Sequence, residues 1–578
     1  MVINTAITIF LEPGLRDRGA RFDTSDTARV RTAMNAKHGK PRQKPTTFLG
    51  RLRSDVAGNT LIIVAFAMMP LIAMIGSGLD MARAYVARDR LQQACDAGSL
   101  AARRLLSGPT LTTAVDTEAK NYFNFNFPQT SFGTAAFTPQ VSVPSVGTVK
   151  ITAATTIPTT IMKLFGFSTM NLATSCSATQ DFVGTDIMLV LDMSGSMNCP
   201  PSKPNDSCNE VEESGSKMQA LRDASESLYD TLKSAQDQLH ANNLRLRYGF
   251  VPYNATVNVG KLLFTKNPNY IRSSAPYQSR TITTGWFGAY ATYGQLTLDT
   301  SSFKTGAPVN TPGTYPTTKS QWAGCIEERQ TDNVTIDGGS ATTPPATAWD
   351  LDVNMLPTAD PSRWAPWWPE AEFNPKTGDE YTEPKYCASA ASRLKEYYND
   401  KPSFMSYINN LKPLGGTYHD IGVIWGARLI SPDGIFASAT PETNDQNDPD
   451  NPKKLRGFSV RKYMIFMTDG DLSPYLGVYT TYGAEERDRR VLGTSTGNTN
   501  QLAAEQLQRH IQRFRMACNA AKSQNIQLYV IAFSTTLTTD MQNCATTPAM
   551  ASGISTSAAL IAKFQEIGSK IGSLRISQ

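Results

Sequence analysis

The sequence predicts an α/β protein with a doubly wound parallel sheet, preceded by one transmembrane helix and a small β-rich region. Three observations lead to this prediction. An uncharged run lies near the N-terminus, a Thr- and Ser-rich segment follows it, and after Thr185 nearly continuous apolar strands alternate with amphipathic helices. Such alternation is typical of a parallel sheet with both faces covered. A length of 578 residues allows several domains, or fewer with large insertions.

The N-terminal segment is basic. Met1 to Arg53 contains eleven Lys and Arg against four Asp and Glu, whereas the whole chain has a net charge of only +5. A nucleic-acid partner is not indicated, because aromatic residues are not interleaved with the charges and no binding module is present. We interpret residues 1–57 as a flexible, basic cytoplasmic tail.

A membrane helix is predicted at residues 58–80. Leu61 to Leu79 has no charged residue for 19 positions, and about 20 apolar residues are needed to cross a bilayer. A buried core helix is the first alternative, but core helices are rarely apolar on every face for so long. A cleaved signal peptide is the second, but 60 residues precede this run. Pro70 is tolerable inside a membrane helix.

The flanking charges do not predict which end of this helix faces the cytoplasm, because basic residues lie on both sides of it. The cysteines are therefore used to predict its orientation. The chain has eight cysteines, no CxxC motif and four histidines, a composition that does not fit a zinc site. An even count beside a membrane helix favours disulfides in an oxidising compartment, the periplasm; free buried cysteines of a cytosolic enzyme are the alternative. Sequence cannot fix connectivity, but neighbours suggest the pairs Cys199–Cys208, Cys325–Cys387 and Cys518–Cys544, leaving Cys95–Cys176.

Residues 81–180 are predicted to form a helix and a small β-rich region. The helix continues from the membrane segment to Leu106, rich in Ala, Leu, Arg and Gln. Gly108 to Gln180 is rich in Thr, Ser, Val and Phe and contains alternating runs such as "VSVPSVGTVKITAATTI", which predict strands.

Residues 181–578 are predicted to form the α/β domain. Its strands are "DIMLVLD", "LRLRYGFVPYN", "RKYMIFMTDGD" and "NIQLYVIAFST", with amphipathic helices between them. In such sheets ligands bind outside the carboxyl ends of the strands. Asp192 and Asp469 both lie at that end of a strand, so we expect two carboxylates at one edge.

The stretch "DMSGS" predicts a cation site at this edge. Asp192, Ser194 and Ser196 occupy alternate positions, so in an extended chain their side chains share one side. One carboxylate and two hydroxyls are oxygen ligands of the kind that hard cations take. A plain turn is the alternative, because Ser, Gly and Asn are ordinary turn residues.

The same residues resemble the von Willebrand factor type A (vWA) domain. "DMSGS" is similar to the DxSxS of its metal-ion-dependent adhesion site, Thr417 in "LGGTYHDIG" is similar to that site's threonine, and Asp469 in "MTDGD" to its second aspartate. The resemblance implies Mg²⁺, or Mn²⁺ or Ca²⁺ in its place, with one coordination position left for an acidic group on a partner. The predicted metal ligands are Asp192, Ser194, Ser196, Thr417 and Asp469.

A second resemblance covers nearly everything from Gly58 onward. "GNTLIIVAFAMMPLIAMIGSGLDMARAYVARDRLQQACDAGSLAA" is similar to the membrane segment of TadG-like proteins of the Tad (Flp) pilus machinery, and "YGFVPYNATVNVG", "WAGCIEER" and "GVIWGARLISP" are similar to later blocks of that family. Prepilin-type proteins carry a Glu shortly after the cleaved glycine, and "NTLIIVAF" after Gly58 has none. We therefore expect retention in the inner membrane, with the C-terminal part in the periplasm.

The α/β domain contains an inserted region at residues 260–402. It is rich in Thr, Tyr and Pro, and it holds six of the seven tryptophans. A long irregular insertion is either a subdomain or a functional surface. We predict that these tryptophans and one disulfide form a small core of their own, with a binding surface as the alternative. The polar run from Asn444 to Lys454 is predicted to be an exposed loop.

The sequence does not indicate an enzyme. P-loop and Rossmann glycine patterns are absent, and His419 is predicted to pack or hydrogen-bond at a helix start. The first hypothesis is a membrane-anchored, metal-dependent protein of Tad pilus assembly with a protein partner. The second is a surface adhesin whose vWA domain binds external ligands. A cytosolic, chelatase-associated vWA protein is the third, and the membrane helix and cysteines disfavour it.

Overall fold

The computed structural model describes residues 56–106, 110–145, 147–180, 183–286, 288–312, 318–373, 386–572 and 576–577. The predicted basic tail lies almost wholly outside these residues. The chain divides into two compact units, Met1–Gly76 and Ser77–Gln578.

The helices are given in chain order. They are α1 Val56–Leu105, α2 Thr113–Asn126, α3 Lys217–Ala241, α4 Gly260–Lys266, α5 Pro369–Phe373, α6 Lys401–Asn409, α7 His419–Ile430, α8 Glu485–Asp488, α9 Thr499–Ser523, α10 Thr539–Cys544 and α11 Ser557–Gly572.

The longer strands are labelled in the same way. They are β1 Gln140–Ser145, β2 Thr148–Pro158, β3 Thr169–Gln180, β4 Thr185–Asp192, β5 Leu246–Tyr253, β6 Ser274–Gly285, β7 Gly288–Asp299, β8 Ser392–Glu396, β9 Arg461–Thr468, β10 Ile526–Phe533 and β11 Ala551–Ile554. Two-residue strands lie at Val309–Asn310, Lys319–Ser320, Ile326–Glu327, Ala365–Pro366, Glu442–Thr443, Lys454–Leu455, Phe458–Ser459, Tyr479–Thr480, Gly483–Ala484 and Ile576–Ser577.

Helix α1 is long and apolar enough to cross a membrane. Only 6% of its most apolar window is buried. A core helix of a soluble protein would be mostly buried, so exposure favours a membrane anchor over that alternative. The helix ends at Leu105, one residue before the predicted end.

The β-rich region contains a helix that the strand prediction for residues 108–180 missed. Helix α2 begins after Thr112, whose side chain accepts a hydrogen bond from the Val115 backbone N–H. Val115, Ala119 and Phe123 recur at helical spacing and are buried against α1 and the sheet. This periodic apolar face outweighs the strand preference of the surrounding Thr and Phe.

An antiparallel sheet completes this region. β2 pairs with β1 and with β3, and Ile576–Ser577 pairs with the end of β3. The Cys95–Cys176 disulfide links α1 to β3. Buried and exposed side chains alternate along β2, so one face of the sheet packs on α1 and α2.

The α/β part contains a six-stranded sheet in the order β8-β5-β4-β9-β10-β11. Every neighbouring pair is parallel except β8 with β5. The prediction of an all-parallel sheet was therefore wrong at this edge. β8 is contributed by the end of the inserted region, where residues 391–402 carry no strong strand pattern in the sequence.

Helices cover both faces of this sheet. Met188 and Val190 of β4 pack in a core with α7 and α9. Ile187, Leu189 and Leu191 point to the other face and pack with α3 and α11. Because both faces are buried, all eight residues of β4 are buried, and its last residue, Asp192, is delivered to a covered edge.

Three tryptophans of the inserted region join the core of the sheet and not the separate small core that was predicted. Trp322, Trp364 and Trp368 belong to the same core as β4 and α7. The Trp364 ring lies 5.4 Å from the Trp425 ring of α7, between centroids. Trp367 instead packs in a small cluster with Tyr479 and the Cys325–Cys387 disulfide. Trp286 lies at the tip of the β6–β7 hairpin and is 96% exposed.

The polar run Asn444–Lys454 is only partly exposed, in contrast to the prediction. Arg245 donates to the backbone carbonyls of Gln446 and Asp448, at 2.6 Å each. The Asp450 carboxylate pairs with Lys266 and Arg393. Cationic side chains therefore hold this loop against the amino-terminal end of the sheet.

Candidate functional site

The loop after β4 is fixed by backbone hydrogen bonds. Met193 N–H donates to the Tyr253 carbonyl at 2.8 Å, and Gly195 N–H donates to the Gly415 carbonyl at 2.9 Å. The loop is thus held between the end of β5 and the glycine pair that precedes α7. A short turn at Gly195–Asn198 follows.

Asp192 is fully buried at the end of β4. Its Oδ1 accepts a hydrogen bond from the Ser194 backbone N–H at 2.8 Å, and its Oδ2 accepts one from Thr468 Oγ1 at 2.7 Å. Both carboxylate oxygens are therefore oriented, one by the loop and one by the neighbouring strand β9.

The two serine hydroxyls meet the carboxylate of Asp469. Ser194 Oγ lies 2.9 Å from Ser196 Oγ. Ser194 Oγ and Ser196 Oγ are 3.3 Å and 2.8 Å from Asp469 Oδ1, respectively. The loop after β4 and the end of β9 therefore meet at one edge.

Thr417 reaches the same place from the start of α7. Thr417 Oγ1 and Ser196 Oγ both face Gly470, because a Cβ atom added to this glycine would lie 3.6 Å from the first oxygen and 3.8 Å from the second. Ser194, Ser196 and Thr417 all line one cavity of about 580 Å³. The structure therefore brings all five sequence-predicted residues to one edge, with the two aspartates beneath the hydroxyls.

Lys217 is a further site residue, which the sequence did not reveal. Its Nζ lies 3.0 Å from Asp469 Oδ2, and both side chains are fully buried. It also donates to the Ser196 carbonyl at 3.3 Å and to Asn205 Oδ1. Lys217 is the first residue of α3, where a cation is unfavourable to the helix dipole. Its place at the start of a helix was the only feature of the local sequence to indicate that Lys217 needs an acidic partner.

Asn205 joins the site from the segment between Cys199 and Cys208. Its Nδ2 donates to the Asp469 backbone carbonyl at 2.9 Å, while its Oδ1 accepts from Lys217. The Cys199–Cys208 disulfide closes this segment. The structure contains the other three suggested pairs as well, and it has no free cysteine among the residues it describes.

His419 lies next to the site at the start of α7. It is buried, which lowers the pKa of its imidazole to about 4. Its Nε2 lies 2.9 Å from Thr468 Oγ1. The Thr468 hydroxyl therefore bridges His419 and Asp192.

The charge at the site is unbalanced. Burial, and secondly the negative charge of Asp469, raise the pKa of the Asp192 carboxyl to about 7. Burial also raises the pKa of the Asp469 carboxyl, and the Lys217 ammonium opposes that rise. One buried lysine, bonded to Asp469, accompanies the two buried carboxylates. Carboxylate and hydroxyl oxygens at such an edge fit a hard divalent cation.

Among the residues that the structure describes, there is no group of three or more His, Cys, Asp and Glu side chains arranged to hold a metal. A cation site at this edge would use two carboxylates and three hydroxyls.

One family model matches part of the chain. Residues 58–104 match the family model described as "Putative Flp pilus-assembly TadE/G-like". The match covers the predicted membrane helix and the helical segment after it, and not the α/β part. Comparison with curated proteins gave no match.

Several solved structures are similar at low identity. The pilus adhesin SpaC from Lactobacillus rhamnosus GG is 11% identical, with 75% of this chain and 34% of that chain covered and a TM-score of 0.29. A mutant of the PilB minor pilin from Streptococcus sanguinis is 12% identical, with 75% and 78% covered and a TM-score of 0.28. The vWF domain of the type V pili tip protein Mfa5 from Porphyromonas gingivalis is 10% identical, with 68% and 98% covered and a TM-score of 0.28.

These likenesses have limits. The chain spans about a third of the length of SpaC. All the TM-scores quoted are below 0.3, so the fold of this chain rests on its own strand order and packing.

Proposed function

We propose that this protein is anchored in the bacterial inner membrane and serves Tad (Flp) pilus assembly as a metal-dependent binding protein. Its α/β part is a vWA domain, and the edge containing Asp192 and Asp469 is a metal-ion-dependent adhesion site. This site engages an acidic group on a protein partner of the pilus machinery.

The observation that carries the proposal is the meeting of Ser194 and Ser196 with Asp469, about 275 residues away along the chain. A plain turn after β4 would explain the two serines but not the convergence of Asp469 and Thr417 on them. The TadE/G-like match at residues 58–104 supports the pilus assignment and the membrane anchor.

Asp192, Ser194, Ser196, Thr417 and Asp469 would hold the cation. Mg²⁺ takes few direct carboxylates and keeps several waters, so two acids and three hydroxyls suit it, with Mn²⁺ or Ca²⁺ as substitutes. A bound cation would supply the positive charge that two buried carboxylates lack and one coordination position for a partner. Lys217 would hold Asp469 in place beside these ligands.

The cavity above the site explains why binding would depend on metal. Asp206, Glu210 and Asp471 line it, and no Lys or Arg does so among the residues that the structure describes. An acidic partner is repelled by these carboxylates at neutral pH. It is attracted only when a divalent cation reverses the local charge.

Cation binding to the full chain in lipid nanodiscs tests the site. Titration calorimetry with Mg²⁺ and Mn²⁺ compares wild type with Asp192→Ala and with Asp471→Ala, an exposed acid of the same cavity. We expect wild type and Asp471→Ala to bind and Asp192→Ala to lose binding while keeping its near-ultraviolet circular dichroism. Equal binding by all three proteins would mean that Asp192 is not a cation ligand and that "DMSGS" is a simple turn.

The cellular role needs a separate test. We expect a strain producing only Asp192→Ala to assemble few pili, although the protein is present in the inner-membrane fraction. Protease cleavage of the α/β part on intact cells would instead place it outside the outer membrane and favour the adhesin.

A further inference from the structure

A turn of the β-rich region exposes apolar side chains beside the end of the membrane segment. Residues 161–168, called the apolar turn here, connect β2 to β3. Leu164 is 80% exposed, Phe167 62% and Phe165 40%. Single exposed apolar residues are ordinary, but three within four positions at the tip of a hairpin form a patch.

The apolar turn is rigidly built. Leu164 N–H donates to the Ile161 carbonyl at 3.0 Å, and Phe167 N–H donates to the Met162 carbonyl at 3.1 Å. Gly166 closes the turn with φ +91°, a conformation that favours glycine. These backbone groups of the turn bond to one another, which fixes its conformation, and its apolar side chains point outward.

Asp80 fastens this turn to α1. Its carboxylate accepts hydrogen bonds from the backbone N–H groups of Thr160, Ile161 and Met162, at 2.8, 3.0 and 2.9 Å. Arg83 adds a bond to Thr160 Oγ1 at 2.6 Å. Asp80 directly follows the uncharged run that ends at Leu79.

The hairpin runs along α1 between Cys95 and Asp80. Cys176 of β3 is bonded to Cys95, and the turn is bonded to Asp80. The helix rises about 22 Å between Asp80 and Cys95 at 1.5 Å per residue. The strand covers about 23 Å between Thr169 and Cys176 at 3.3 Å per residue. The turn is therefore the end of the β-rich region nearest the uncharged run.

We infer that the apolar turn is a second membrane contact, which inserts Leu164, Phe165 and Phe167 into the phospholipid interface beside the transmembrane helix. Aromatic side chains are enriched at this depth of a bilayer. Exposed Leu79 and Met81 of α1 extend the apolar surface at the same level, and Lys163 is exposed where it can reach lipid phosphates. The contact fixes the tilt of the β-rich region on the membrane. It rests on the membrane anchoring proposed above but not on the metal site.

Lipid contact is measured with a fluorophore on the turn. Leu164→Cys and, separately, Phe167→Cys are introduced into the full chain, labelled with NBD and placed in nanodiscs at one copy per disc. Val334→Cys is the control, because Val334 is 84% exposed and belongs to the α/β part. Quenching by a phospholipid with a nitroxide near the top of its acyl chain is compared with quenching by aqueous iodide.

We expect the nitroxide lipid to quench both turn positions severalfold more than position 334, and iodide to quench them less. Quenching of both turn positions like the control would overturn the inference. Protection from iodide that appears only with two copies per disc would also overturn the inference, because a second chain would then cover the turn. Carbonate-resistant membrane association of the same samples reports the anchor separately, and calorimetry with Mg²⁺ reports the metal site.

Discussion

Replacing Lys217 by methionine tests the charge balance beneath the candidate metal site. Both Lys217 and Asp469 are fully buried, with Nζ 3.0 Å from Oδ2. Methionine keeps most of the apolar stem and removes the charge. Removing one partner of a buried pair costs about 3–5 kcal/mol, because the other charge remains out of water. We expect the free energy of unfolding in EDTA to fall by about this amount.

Lys203→Met is the matched control. Lys203 Nζ lies 2.5 Å from Glu213 Oε1 in the neighbouring loop, but the two side chains are 30% and 27% exposed. Pairs that water reaches contribute about 0–1 kcal/mol. A large difference between the two lysine variants therefore reports burial and not the mere loss of a lysine.

The assay is denaturant unfolding of the full chain in detergent, with EDTA and then with excess Mg²⁺. A cation beside Asp469 would replace the positive charge that Lys217→Met lacks. We expect Mg²⁺ to stabilise Lys217→Met more than wild type, and Mn²⁺ to bind this variant more tightly. The reasoning is refuted if both lysine variants unfold at the same denaturant concentration in EDTA, or if Mg²⁺ stabilises wild type and Lys217→Met equally.

Three further predictions concern the ligands, the cysteines and the topology. Asp192→Ala is expected to weaken Mn²⁺ binding more than Ser194→Ala, since it removes a charge rather than a neutral oxygen; calorimetry that ranks them in reverse order would contradict this. Protein from its native compartment is expected to show no alkylatable thiol when unfolded without reductant, and each closed loop stabilises the fold by about 2–4 kcal/mol; eight free thiols would exclude the disulfides. Alkaline phosphatase fused after Gln180 is expected to be active, and an inactive fusion would place the α/β part in the cytoplasm.

Local chemistry at strand ends made the two aspartates predictable from sequence. Asp192 and Asp469 each follow an apolar strand, and parallel strands deliver their carboxyl ends to one edge. Thr417 precedes a helix rather than ending a strand, so only the resemblance to the vWA family pointed to it. Lys217 and Asn205 escaped both approaches, because their roles depend on contacts about 250 residues distant along the chain.

Two missed features of the fold also depend on contacts between distant parts of the chain. β8 is a strand because β5 offers it an edge, and its own sequence predicts little. Trp364 packs against Trp425 of α7, a contact that the composition of the inserted region could not reveal. Helix α2 was a different error: its apolar spacing was present in the sequence, but the Thr- and Phe-rich composition around it was weighted more heavily.

The Cys95–Cys176 bond changes how tension would pass through the protein. It joins residues 81 positions apart, the first in α1 and the second near the end of β3. A pulling force on the α/β part is transmitted to β3 and then, through this disulfide, to α1. The chain between Cys95 and Cys176, including α2, β1 and β2, lies outside that covalent path. That intervening segment can therefore unfold under load without lengthening the connection between membrane and α/β part.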